Sequence, residues 1–196
     1  MSVAAQTKGA RYVNYYGSKE LARSFRTVRN NTIQTAEDIP TDQYGFAPAQ
    51  GTKTVSQTLV HIALFPRLQL TIHAKEPRTS FEGFDFPAFV QQLTEEESKD
   101  RTKAQVIDLL TTEGEQWACF LEGVTQDFLA EPFGMPPGAT PASKSRFEML
   151  LSVKEHEMHH RSQLAVSQRL LGIVPHLTKL REAHIAELKA DADVSS

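Results

Sequence analysis

HEMHHRSQL, residues 156–164, is the stretch on which the reading of this 196-residue chain turns. It lies in a helical run that ends near Leu171, with Gly172 suited to the position just past the helix and Pro175 beyond it. On a helix, His156 and His160 stack on one face with Cβ atoms about 5–6 Å apart, close enough to share a metal ion. His159 stands three residues from His156, so spacing alone does not choose the pair. The flanking residues favour His160. Val153, His156, His160, Leu164 and Leu171 follow one apolar stripe, whereas Ser152, Glu155 and Ser162 accompany His159. His159 is therefore read as lying beside the site or on the surface. A third histidine, His61, sits on the apolar side of a separate helical run, TVSQTLVHIALF. Three imidazoles from two helices would leave one coordination position for water or substrate. The letters H-E-x-x-H are also present, which makes Glu157 a candidate general base of a zinc protease. The bland reading of any one of these histidines is a hydrogen-bonded helical side chain.

Around that core the chain divides into long helical patterns joined by Pro/Gly-rich connections. The first is expected over about residues 18–36, with Leu21, Phe25, Val28 and Thr32 or Ile33 inward and Lys19, Arg23, Arg26 and Arg29 on the other sides. Ile39-Pro40 ends it. The second starts near residues 54–56 and reaches about His73, with Pro66 kinking or dividing it. Asp85, Phe86 and Pro87 start a short helix through Leu93, Asp85 as cap and Pro87 in the first turn. Thr102 to Gln105 is a capping-box pattern opening a helix whose stripe is Val106, Leu110, Trp117, Leu121 and Val124. Residues 131–143 read as a loop. A last amphipathic stretch carries Leu177, Leu180, His184 and Leu188 before a polar tail. With no strand-period segment of useful length, the pattern is all-α: a four-helix bundle with short additional helices, in one domain over residues 1–196. The core is expected over about residues 18–176, with residues 1–15 and 190–196 flexible.

Bulk properties exclude several classes. A net charge of -3 and a pI near 6.2 give no basic footprint for nucleic acid, although RYVNYYGSKELARSFR concentrates tyrosine and arginine. No apolar run approaches the ~20 residues of a membrane span, and the N-terminus lacks a signal-peptide layout. One cysteine cannot build a disulfide framework, so a cytoplasmic location is expected.

Two segments carry a resemblance. IPTDQYGFAPAQGTKTVSQTLVHIA and PFGMPPGATPASKSRFEMLLSVKEHEMHHRSQLAVSQRLLGIVPH, with H-x3-H, R-x-Q-L and R-x-x-G-I-x-P in order, resemble the DinB/YfiT family of metalloenzymes. The resemblance runs from about Leu21 to His176 and departs at Ser162, where glycine is usual. It implies a DinB-like four-helix bundle with a divalent metal on His61, His156 and His160, often in a homodimer. It also implies transferase or isomerase chemistry on a small-molecule substrate, with a low-molecular-weight thiol as cosubstrate. Imidazole ligation suits Zn, Ni or Fe. A metal-dependent hydrolase, or a bundle that binds metal or a small ligand without turnover as a stress-response protein, are the alternatives. Leu59, Ile62 and Leu70, off the His61 stripe, are the apolar positions available for a dimer contact.

The other notable residues have competing readings. Gln163 borders the metal pocket or satisfies a neighbouring helix. Cys119, between Trp117 and Phe120 with no basic neighbour in sequence, reads as a buried inert thiol rather than a nucleophile. Arg161 and Arg169 bind an anionic group, or hold helix ends and Glu157. FEGFDFPAF lids the pocket or packs the bundle's end, and EEESKDR reads as solvated surface.

Overall fold

Three helices start at caps that the sequence spells out. Thr54, Thr102 and Ser145 each accept from the amide three residues on, and Gln57, Gln105 and Glu148 reach back to the cap amide. Each such reciprocal box stabilises its helix by about 1 kcal/mol over an alanine cap. They open α2 (Val55–Leu64), α5 (Lys103–Gly123) and α7 (Arg146–Leu170) in a computed structural model that describes residues 16–194. The expected flexible residues 1–15 lie outside the described residues. The remaining helices are α1 (Ser18–Asp38), α3 (Pro66–Leu70), α4 (Phe86–Glu97), α6 (Gln126–Ala130) and α8 (His176–Val194). Asp85 caps α4 by accepting from the Ala88 amide. At the far end of α7, Gly172 takes φ +76°, and the amides of Gly172 and Ile173 close on the carbonyls of Arg169 and Gln168. That is the paired hydrogen bonding of a Schellman turn, which needs a residue tolerant of positive φ.

The four long segments pack as a bundle in which α1 and α2 each contact both α5 and α7. Thus α1 lies diagonally across from α2, and α5 across from α7. Leu59, Leu64, Val106, Leu110 and Leu164 fill one half of the core, and Leu21, Phe25, Trp117, Leu121 and Leu150 the other. Among the described residues, no helix is long and apolar enough to cross a membrane.

Pro66 divides the second helical run at α2/α3, after which the chain widens into a π-type turn over Thr71–Lys75. Because proline has no N–H, the carbonyl of Ile62 loses its helical donor. Arg29 supplies one: its Nη2 donates to the Ile62 oxygen at 3.3 Å. The same guanidinium donates to the Leu110 carbonyl through Nη1 at 2.6 Å and to both carboxylate oxygens of Glu157 through Nε and Nη2. A single arginine from α1 thereby ties α2, α5 and α7 at the centre of the bundle. Gly114 makes the room, since a Cβ there would lie 2.9 Å from Arg29 Cγ and Nη1.

Several expectations are corrected. Arg29 is 3% exposed rather than solvated, because it shares the inner stripe with Phe25, Thr32 and Ala36. Residues 131–143 are not all loop. Pro132–Gly134 (β1) and Ser143–Ser145 (β2) pair antiparallel, and the side chain of Phe133, in the middle of β1, is fully buried. Leu59, Ile62 and Leu70 are 0%, 1% and 4% exposed, so they pack inside this chain and offer no dimer contact. The α4 helix runs four residues past Leu93; α8 is helical to Val194, and residues 195 and 196 lie outside the described residues. The FEGFDFPAF aromatics pack on one another, and Phe81 meets Phe133 edge-on, so this segment closes the hairpin end of the bundle.

Candidate metal centre

His61 projects from the last full turn of α2, and His156 and His160 from successive turns of α7. Their Nε2 atoms converge: His156 Nε2 lies 3.0 Å from that of His61 and 3.2 Å from that of His160. All three ligand atoms lie within 4.8 Å of one another. Nitrogens that share a tetrahedral zinc ion at 2.0–2.1 Å stand about 3.3 Å apart, so the spacing fits a common ion.

The outer ring nitrogens show why this cluster is not closed upon itself. His61 Nδ1 meets Glu97 Oε1 at 2.5 Å, and His160 Nδ1 meets Gln163 Oε1 at 2.8 Å. A carboxylate and an amide oxygen only accept, so both Nδ1 atoms carry the proton and both Nε2 atoms present lone pairs. At most one proton, on His156, remains for three converging nitrogens. The lone pair left over calls for a cation, and carboxylate or amide partners behind the imidazoles are the usual way a metal ligand is oriented. His156 is set by packing instead: its ring stacks on Phe65 with centroids 3.5 Å apart and planes 8° apart, and its buried Nδ1 has no partner.

Burial, then the neighbouring imidazoles His160 and His61, push His156 down to about 3; burial likewise lowers His160. Both are thus neutral near pH 7, the form that ligates. Burial alone would raise Glu97, but hydrogen bonds from His61 and Lys53 outweigh it and hold the carboxyl below its usual range.

Glu97 is the site residue that the sequence reading misses. It falls in the acidic run read as solvated surface, yet its side chain is 11% exposed and bonds both His61 and Lys53. The signal was its position four residues past Leu93, one turn further along a stripe that packs on the core. Glu157 moves the other way. Rotated about 100° from His156, it is 1% exposed and committed to Arg29, so it is not a pocket residue or a base at this centre. His159 is exposed and accepts from the amide of Gln163, which places it behind Gln163 rather than with the other three. Cys119 is exposed, not buried, on α5. Its hydrogen bond to the Glu115 carboxylate raises its pKa and so disfavours the thiolate, for a reason the sequence hides.

Beside the histidines a cavity of about 450 Å³ is lined by His160, Gln163, Leu164, Thr58, Pro48 and Lys53, among others. The β-hairpin is not part of it, being joined to the start of α7, roughly 16 Å along the helix from His156 at 1.5 Å per residue.

A bundle of diagonal helix pairs with three imidazoles meeting between α2 and α7 defines the class: a helical protein with a candidate mononuclear metal centre. The chain belongs to the DinB superfamily, whose family model matches residues 24–164. It is 23% identical over 155 residues to the uncharacterised protein YjoA of Bacillus subtilis (strain 168), covering 79% of this chain and 91% of that one. The crystal structure of YjoA superposes with a TM-score of 0.57 at 22% identity, over 78% of this chain and 92% of that one. YfiT from Bacillus subtilis, described as a probable metal-dependent hydrolase with an unusual four-helix bundle topology, gives a TM-score of 0.58 at 19% identity. That match covers 80% of this chain and 88% of YfiT. At these identities the structural likeness speaks for the fold.

Proposed function

We propose that His61, His156 and His160 hold one divalent ion through Nε2, and that the protein is a metal-dependent enzyme transferring or isomerising a small molecule with an external low-molecular-weight thiol. The observation that carries this reading is the convergence of three imidazole nitrogens, two of them deprotonated by their outer partners, at the edge of a cavity of about 450 Å³. Such an ion acts as a Lewis acid and lowers the pKa of a coordinated thiol or water toward neutrality. Zinc, nickel and iron all suit imidazole ligation.

This chain's own residues supply positioning. Glu97 holds His61 in one tautomer, Gln163 does so for His160, and Phe65 fixes the ring plane of His156. Lys53 lines the cavity and offers a cationic contact for an acidic substrate group, although its charge is shared with Glu97. Glu97 is committed to His61 and Lys53, and Glu157 to Arg29. A nucleophile that would ionise on the metal without a protein base suits this arrangement, and an external thiol is the one we propose. Cys119 does not supply it.

Hydrolysis is the second reading, favoured by the likeness to YfiT and the description that protein carries. Cobalt-substituted protein distinguishes them. On addition of a small thiol, a sulfur-to-metal charge-transfer band should appear and should persist in Cys119→Ser. Silence toward thiols combined with metal-dependent cleavage of a small ester would replace transfer by hydrolysis. Bound metal with no turnover of either kind would mark a binding protein.

A further inference from the structure

About half a turn around α7 from the histidines, a second cavity of about 210 Å³ lies between the end of α7, the start of α8 and α1. Arg161 and Arg169 line it from α7, Thr35 from α1, and His176, Leu177 and Thr178 from the first turn of α8. The R-x-x-G-I-x-P segment, which the metal site does not use, builds this place. The Gly172 turn reverses the chain, and Pro175 launches α8 by accepting from the amides of Thr178 and Lys179. The amides of His176 and Leu177 precede any intrahelical acceptor, so the positive end of a 19-residue helix faces the cavity.

Neither arginine has an acidic partner in hydrogen-bonding reach. Arg161 donates to the Val28 carbonyl, and Arg169 to the Ala165 carbonyl and the Thr178 hydroxyl. Two acids are felt here: Glu157's charge reaches Arg161, and Asp38's reaches His176, with one Asp38 oxygen accepting from Gln34 and the other buried without a partner. The independent observation is Gln168. It also lines the cavity, is 0% exposed, and has no partner at either Oε1 or Nε2. A buried amide with both ends unmade is rare in a folded protein and signals a missing partner. His176 Nδ1 is buried and unpartnered as well, while its Nε2 is held by Asn31.

We infer that this cavity is a binding site for a small oxyanion of the carboxylate or phosphate class, separate from the metal centre. The anion takes donors from Arg161, Arg169 and the α8 amides. The Gln168 side chain, closed off and unpartnered without the anion, turns to donate to it through Nε2. At about 30 Å³ per water, a volume near 210 Å³ admits roughly seven waters or a metabolite of similar size.

The test is thermal unfolding of the full chain in rising inorganic phosphate, and separately in succinate, each against sodium chloride of equal ionic strength. His61→Ala is run in parallel to remove anion binding at the metal centre. The expected result is a saturable rise in Tm with at least one of the two anions, retained in His61→Ala. A response to phosphate alone or to succinate alone assigns the class. Arg169→Gln, at an exposed position, should weaken the apparent affinity about tenfold, the loss of one charge-assisted hydrogen bond. Gln168→Met should raise the anion-free Tm, because it removes an unsatisfied amide, and abolish the anion-dependent rise. Waters alone in the cavity predict no saturable effect of either anion. That result, or full responses in both Arg169→Gln and Gln168→Met, overturns the site.

Discussion

Glu157 and His156 are neighbours on α7, yet they belong to polar clusters of opposite character. Glu157 ends in a closed knot, where Arg29 spends its donors on two carboxylate oxygens and the carbonyls of Leu110 and Ile62. His156 ends in an open one, where three nitrogens converge with too few protons to pair them. A polar cluster whose hydrogen bonds close among its own members holds the fold together. One whose lone pairs converge on a common point is built for something else. One helical step of about 100° separates the two roles.

The knot can be broken outright. Arg29→Ala leaves the Glu157 carboxylate buried without a counter-ion and should cost about 3–5 kcal/mol in urea denaturation. Replacing both partners, Arg29→Met with Glu157→Leu, should recover most of that loss. A loss below about 1 kcal/mol for Arg29→Ala would mean the knot is not the structural member of the pair.

Acid probes the open cluster and a second buried histidine together. His156 is pushed down to about 3, by burial first, and His73 to about 4, by burial and then by Arg146. The unfolded chain protonates both near 6.5, so between about pH 6.5 and 4 it binds more protons than the fold. Stability is therefore fully present above pH 6.5 and lost as pH falls toward 4. By pH 4 the loss should reach up to about 3 kcal/mol for each histidine, about 6 kcal/mol together, measured on metal-free protein by denaturation at fixed pH values. A flat profile down to pH 5 would contradict the burial of these imidazoles.

Gly114→Ala crowds the knot without touching its charges. It should cost about 1–3 kcal/mol, with little change in metal content, because the new methyl meets the Arg29 side chain. The same substitution at Gly123, where a Cβ meets nothing within 4 Å, is the matched control and should leave stability near wild type or slightly above it. Glu97→Gln sharpens the other half of the comparison. Losing the charge behind His61 should weaken metal affinity about 10–100-fold with little effect on metal-free stability. An unchanged affinity would make Glu97 a surface acid after all.

What was legible in the sequence follows from local rules. The box at Thr102, the Asp85 cap and the Gly172 turn are written in side chains that act within one turn of themselves. The histidines at 156 and 160 share a face by spacing alone. What was hidden depends on partners far along the chain. Arg29 reads as surface until Glu157, 128 residues away, and the donor-less Ile62 carbonyl are placed beside it. Glu97 reads as one acid among several until α4 delivers it to His61. The three-residue strands flanking residues 135–142 are too short to show a period. Cys119 was read as inert, but its exposure beside Glu115 is a tertiary fact.

The central claim, that three imidazoles form one metal centre, is tested most directly by zinc binding in competition with a chromophoric chelator. Wild type is compared with His61→Ala and His159→Ala, each checked for native helicity. The account predicts about one ion per chain in wild type and in His159→Ala, and loss of most of that binding in folded His61→Ala. Full zinc retention by folded His61→Ala, or no zinc bound by wild type, would contradict it.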